Sequence, residues 1–321
     1  MFNGGKALKK IARIFLIFVI VSALCALLCC CYFFNDINVT YVYNNGQENY
    51  TAPYLGVDKP QDPVREGYIF VGWCSDEDLT SFYDFSVRPK SDITLYACWM
   101  EDYLALANKV SEKAILANVR VDADFYNSAF SLTPEKHSQG SGIIYKESGG
   151  FYYILSNYHV VKNEKSYARV NYSVFDAYGN EYSADLLFCD ENYDLAALKI
   201  RKNEEAPLLA LDFEYEAPRA GETVITVSSP EGQLNTPLYG EAVAYKSISL
   251  EGVKGDKTEV SFEVIWHTAP AKNGSSGSAL INSDMKIVGI NYAVGSKDNG
   301  EFLYCFAIPS VKVKEFLEAY S

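Results

Sequence analysis

The chain has 321 residues, enough for about two domains, and its 49% hydrophobic content can supply packed cores. A formal net charge of −13 argues against a nucleic-acid binder, which normally shows a basic face. Aromatic residues make up 14%, with 25 tyrosines, which suits β-rich structure.

The chain opens with a basic tail, residues 1–13, that carries Lys6, Lys9, Lys10 and Arg13 and no acid. Ile14 to Phe34 then runs without a charge, matching the ~20 apolar residues that a bilayer-crossing helix requires. A cleaved signal peptide would have a shorter apolar core and small residues at its cleavage site. A lipoprotein-type site fits poorly too, because Leu28 precedes Cys29, Cys30 and Cys31. The expectation is therefore an uncleaved, single-pass anchor. The positive-inside rule puts its basic end in the cytoplasm and the rest outside the cell.

Residues 38–99 read as a compact β unit. Val39 to Tyr43 is a strand of β-branched and aromatic residues, closed by the turn Asn44-Asn45-Gly46. A polar, proline-containing stretch follows as far as Pro63. Two further strands run from Glu66 to Trp73 and from Asp92 to Trp99. Cys74 and Cys98 each abut a tryptophan and can face each other on neighbouring strands, with a bridge and free thiols equally open. Cys189 and Cys305 lie in apolar strand patterns and are expected as buried free thiols. The elements "REGYIFVGW", "YDF" and "SDITLYACW" resemble a single internalin B-type (Listeria–Bacteroides) repeat. That resemblance implies a small surface module acting as a spacer or binding a cell-surface ligand. Trp73, Trp99, Tyr68 and Phe85 are expected in its core.

Residues 100–112 form a helical junction, with Leu104, Ala107 and Val110 at helical spacing. From there to Ser321, short alternating strands recur between turns such as Ser148-Gly149-Gly150, pointing to an antiparallel barrel or sandwich. Ser310 to Tyr320 reads as a closing helix. Three segments in this region carry chemistry. Leu155-Ser156-Asn157-Tyr158-His159 ends an apolar strand in a histidine. Tyr193-Asp194-Leu195 puts a carboxylate just before another strand. Asn273-Gly274-Ser275-Ser276-Gly277-Ser278 is a small-residue turn that can expose a serine Oγ beside backbone N–H groups. An acyl-transfer nucleophile needs that turn, because negative charge develops on the carbonyl oxygen it attacks. Chain order His, Asp, Ser is the chymotrypsin order, distinct from those of subtilisin and the α/β-hydrolases.

Together with Gly140-Ser141-Gly142 and Val288-Gly289-Ile290-Asn291, these segments resemble the trypsin-like serine proteases, and within them the HtrA/Deg branch. The resemblance implies a mainly β, chymotrypsin-like double barrel over residues 113–321. It assigns Ser276 as nucleophile, His159 as base, Asp194 as the residue orienting the imidazole, and the N–H groups of Gly274 and Ser276 as oxyanion hole. It puts Pro270 at the base of the substrate pocket, with Ala271, Asn291 and Tyr292 beside it; with no acid there, small or medium apolar side chains are expected. Ser275 stands where the family has Asn or Asp, and Ser278 where it often has Gly, so Ser278 is an alternative nucleophile. His137 is expected in a solvated loop and His267 in strand packing near the pocket; neither completes a metal site, and no cofactor is expected. The chain stops just after its last helix, so no PDZ module is expected. The implied function is a membrane-anchored, extracytoplasmic serine endopeptidase acting on peptides or proteins, with room for a homo-oligomer. The alternative is a catalytically inactive surface binding protein acting through its repeat.

Overall fold

A computed structural model describes residues 17, 19–22, 37–54, 60–247, 260–296 and 302–320. The expected basic tail lies outside these residues, as does most of the expected membrane-spanning segment. Among the described residues, no helix is long and apolar enough to cross a membrane. The chain divides into two compact units, Met1–Asp102 and Tyr103–Ser321.

The first unit is a four-stranded sheet of β1 (Asn38–Val42), β2 (Tyr50–Pro53), β3 (Tyr68–Cys74) and β4 (Ile93–Glu101), in the order β2-β1-β4-β3. β1 and β4 run parallel and the other pairs antiparallel. Alternation puts Val39, Tyr41, Leu95 and Ala97 on one face, where they close over Trp73. Trp73 makes edge contacts with Tyr41, Phe70 and Tyr43 at 5.0, 5.5 and 5.7 Å between ring centroids. Trp99 and Phe85 pack against this core, but Tyr68 does not join it. Its ring lies under the Arg65 guanidinium, 3.7 Å from the centroid. Strand β2 falls inside the stretch read as polar and proline-containing. Cys74 and Cys98 do meet across β3 and β4, as free thiols, and burial with the neighbouring Cys98 pushes the Cys74 thiol up to about 11.

The second unit begins with helix α1 (Tyr103–Lys109), which continues through a π-turn and ends at Ala117. Its buried stripe is Leu106, Val110 and Ala114, whereas Leu104 is 74% exposed and Ala107 is also exposed. The expected helix therefore exists with a different face inward and five residues longer than the expected end at 112. Two closed barrels follow. The first contains β5 (Asn118–Tyr126), β6 (Lys136–Ser148), β7 (Phe151–Ser156), β8 (Arg169–Phe175), β9 (Glu181–Asp190) and β10 (Leu195–Arg201). A one-turn helix α2 (Tyr158–Val161) leaves β7. The second contains β11 (Thr223–Ser228), β12 (Thr236–Lys246), β13 (Val264–His267), β14 (Ala279–Asn282), β15 (Ile287–Ser296) and β16 (Phe302–Pro309), followed by helix α3 (Ser310–Ala319).

Several strands are apolar on both faces because each face has its own core. In β10, Ala196, Leu198 and Ile200 point into the first barrel, while Leu195 and Ala197 join the apolar layer between the barrels. In β11, Val224 points into the second barrel and Ile225 into the shared layer. Val313 and Phe316 of α3 seal that layer. Cys305 is buried in the second barrel, where burial pushes its thiol up to about 12; Cys189 is only half-buried, correcting the expectation for that residue.

Candidate active site

The register of β7 and β10 brings His159 and Asp194 together. Ser156 pairs with Ala196, so the residues just beyond the end of β7 and just before the start of β10 become neighbours. Asp194 is wholly buried and adopts a left-handed backbone, φ 50°, which turns its carboxylate back toward α2. Its Oδ2 lies 2.8 Å from His159 Nδ1, and its Oδ1 accepts the His159 backbone N–H at 3.0 Å. Asn157 Nδ2 donates to the Asp194 carbonyl at 2.9 Å. Two bonds to one carboxylate fix both the position and the rotation of the imidazole. With Nδ1–H on the carboxylate, Nε2 is left as the basic nitrogen.

The turn from 272 to 278 belongs to the second barrel. Among its three serines, Ser276 alone is half-exposed; Ser275 and Ser278 are buried. Ser278 Oγ is occupied, donating to the Ser275 carbonyl at 2.7 Å and accepting from Asn291 Nδ2 at 2.9 Å. A buried, doubly bonded hydroxyl cannot reach a substrate, which removes the alternative nucleophile. The turn reaches the histidine across Gly140. A Cβ there would lie 2.6 Å from Val160, the residue after His159, and 2.9 Å from the Ser276 carbonyl oxygen. Among the described residues, neither His159 Nε2 nor Ser276 Oγ makes a hydrogen bond in this structure. Such bonds between barrels often tighten only when substrate is bound.

Hydrogen bonds to the turn's carbonyls decide where its N–H groups point, since C=O and N–H oppose each other across a trans peptide. The Asn273 carbonyl accepts Glu231 N–H at 2.9 Å, turning Gly274 N–H the other way. The Ser275 carbonyl accepts Ser278 N–H at 3.1 Å and the Ser278 hydroxyl, turning Ser276 N–H away from them. Neither freed N–H bonds to another described residue.

Ser141, quoted in the sequence only as part of a strand, is the clamp between the barrels. Its Oγ donates to the Gly274 carbonyl at 2.7 Å and accepts Ser229 N–H at 2.9 Å. Its N–H donates to the Ser276 carbonyl at 2.7 Å, and its carbonyl accepts Ser156 Oγ at 2.7 Å. No sequence signal distinguishes it from any other strand serine. Of the expected pocket residues, Pro270 is exposed and Ala271 half-buried, while Asn291 and Tyr292 are buried. His267 is wholly buried at the end of β13, with Nε2 2.9 Å from Asn291 Oδ1, and burial pushes its pKa down to about 4. His137 lies on β6 rather than in a loop, its Nδ1 2.8 Å from Asp124. Among the described residues, no cluster of His, Cys, Asp or Glu could hold a metal ion.

Residues 140–290 match the trypsin-like peptidase domain, and residues 38–98 match the Listeria–Bacteroides repeat domain. The chain thus carries a trypsin-like peptidase domain with HtrA/DegP homologues, joined to one such repeat. It is similar to the serine protease Do-like HtrA of Bacillus subtilis, 32% identical over 68% of this chain and 49% of that protein. A probable periplasmic serine endoprotease, DegP-like, of Rickettsia prowazekii is 32% identical over 58% of this chain and 34% of its own length. The chain therefore spans at most about half of these two relatives. Among solved structures, the HtrA-type protease AlgW with a tripeptide superposes with a TM-score of 0.53 and 26% identity, over 67% of this chain and 62% of that one.

Proposed function

We propose that the protein is a serine endopeptidase that hydrolyses peptide bonds through an acyl-enzyme on Ser276. The observation that carries this reading is the His159–Asp194 pair, held by two hydrogen bonds, on a one-turn helix whose Val160 packs on Gly140 together with the Ser276 carbonyl. His159 takes the Ser276 proton as Oγ attacks the scissile carbonyl, then delivers it to the leaving amine. Asp194, buried and already bonded to Nδ1, stabilises the imidazolium that forms between those two transfers. The N–H groups of Gly274 and Ser276 receive the negative oxygen of the tetrahedral intermediate, a contribution of roughly 3 kcal/mol per donor. Water then repeats the sequence on the acyl-enzyme, with His159 again as base.

The same reading puts the peptidase outside the cytoplasm, held to the membrane by residues 14–34, with protein or peptide chains as substrates. It is supported by the uncharged run of those residues and by a relative described as periplasmic. Reaction with a fluorophosphonate probe tests the chemistry. Wild type should be labelled, while Ser276→Ala and His159→Ala should not be labelled at a measurable rate. Unlabelled wild type, or labelled Ser276→Ala, would reject the assignment and favour an inactive, binding role.

A further inference from the structure

We infer that His267 is a positioning residue for the oxyanion hole, acting on Ser276 N–H through Asn291 and Ser278. This rests on the proposed role of Ser276 and names a residue outside the His159–Asp194–Ser276 set.

The hydrogen bonds under the turn form a chain with one possible direction. The Ser275 carbonyl can only accept, so the Ser278 hydroxyl, 2.7 Å away, spends its single proton there. Ser278 Oγ must then accept from Asn291 Nδ2 at 2.9 Å, which orients the Asn291 amide with Oδ1 toward β13. His267 Nε2, 2.9 Å from that oxygen, must carry the proton and donate. Backbone bonds brace the same ladder, Asn291 N–H to the Ser278 carbonyl and Gly277 N–H to the Asn291 carbonyl, each 2.9 Å. The carbonyl at the end of this chain belongs to the peptide that bears Ser276 N–H. Holding the carbonyl therefore fixes the opposite end of that peptide, the proposed oxyanion donor.

Simple packing does not account for the histidine. Its other ring nitrogen, Nδ1, is buried with no hydrogen-bond partner, a penalty that an apolar side chain would not incur. Strand register places His267 opposite Ala242 and Cys305, beside the apolar pair Ile265 and Ala307, so a leucine would suit the surroundings better. What leucine cannot supply is the Nε2 proton at the head of the chain. The chain also gives a purpose to the buried hydroxyl of Ser278.

The inactivation kinetics of a fluorophosphonate separate this role from a pocket-wall role, because the phosphonyl oxygen occupies the oxyanion hole during reaction while affinity reports the pocket. His267→Leu should lower the maximal inactivation rate about tenfold or more, less than the 10²–10³ for deleting a donor outright, with half-saturating concentration nearly unchanged. His267→Gln retains an N–H donor and should recover most of that rate. Ser278→Ala breaks the chain without touching β13 and should lose rate as His267→Leu does; it decides the matter should His267→Leu fail to fold. Wild-type rates in either His267→Leu or Ser278→Ala would overturn the inference. So would a loss confined to half-saturation, or a His267→Gln variant no faster than His267→Leu. Unlabelled wild type would instead remove the Ser276 assignment, and this inference with it.

Discussion

His267 lies wholly inside the second barrel, where a charged imidazole would have no water to stabilise it. Burial pushes its pKa from 6.5 down to about 4, so below pH 6.5 the unfolded chain binds a proton that the folded chain refuses. Its contribution to stability is therefore constant above about pH 6.5 and is lost as pH falls toward 4. The full loss amounts to about 3 kcal/mol. Urea unfolding of wild type and His267→Gln between about pH 7 and 4 should show a shallower decline for the variant. Equal slopes would mean that His267 does not titrate as its burial demands. The chemistry of single residues was unevenly legible in the sequence. His159, Asp194 and Ser276 each sit in a short local frame, an apolar strand or a small-residue turn, that marks them as candidates. The bonds of Ser141 and of the His267–Asn291–Ser278 chain leave no such local mark, because their partners meet only when a barrel closes. His267 and Asn291 are neighbours through β13, β16 and β15, not through nearby sequence.

Elements were legible where alternation or turn residues left a clear mark, as in β7 and β10. They were misread where packing, not pattern, decided. In α1 the apolar residues wrap far enough round the helix that two stripes fit; the structure buries Leu106, Val110 and Ala114 and exposes Leu104. In β2, Tyr50-Thr51-Ala52-Pro53 has little apolar signal of its own and becomes a strand by pairing with β1. The turn at 272–278 shows how tightly an irregular element can be specified. Gly277 has φ 86°, and a Cβ on it would lie 2.2 Å from the Ser141 carbonyl oxygen and 2.5 Å from Ser156 Oγ. Strain from the left-handed backbone alone costs ~1–3 kcal/mol, and the contact with fixed backbone adds to it. Gly277→Ala should therefore lower stability by about 3 kcal/mol and abolish probe labelling, measured by thermal unfolding and by the labelling assay. An alanine variant as stable and as reactive as wild type would contradict this account of the turn.

At the scale of the whole molecule, the chain divides into two units with the break at Asp102–Tyr103, inside the stretch 100–112 expected as a helical junction. Two barrels from successive stretches of the chain each contribute half of the proposed chemistry: histidine and aspartate from the first, serine and its N–H groups from the second. The proposed topology makes its own prediction. In cells expressing the full chain, externally added proteinase should degrade both the repeat and the peptidase domain while cytoplasmic markers survive. Protection of both until the membrane is opened would reverse the orientation.

The central claim is that the His159 imidazole held by Asp194 and the Ser276 turn act on one substrate carbonyl. A crystal structure with a peptide boronate tests it most directly. It should show boron bonded to Ser276 Oγ, one boronate oxygen within hydrogen-bond distance of the Gly274 and Ser276 N–H groups, and His159 Nε2 bonded to the adduct. Boron on another residue, or a peptide held without a bond to Ser276, would contradict the account.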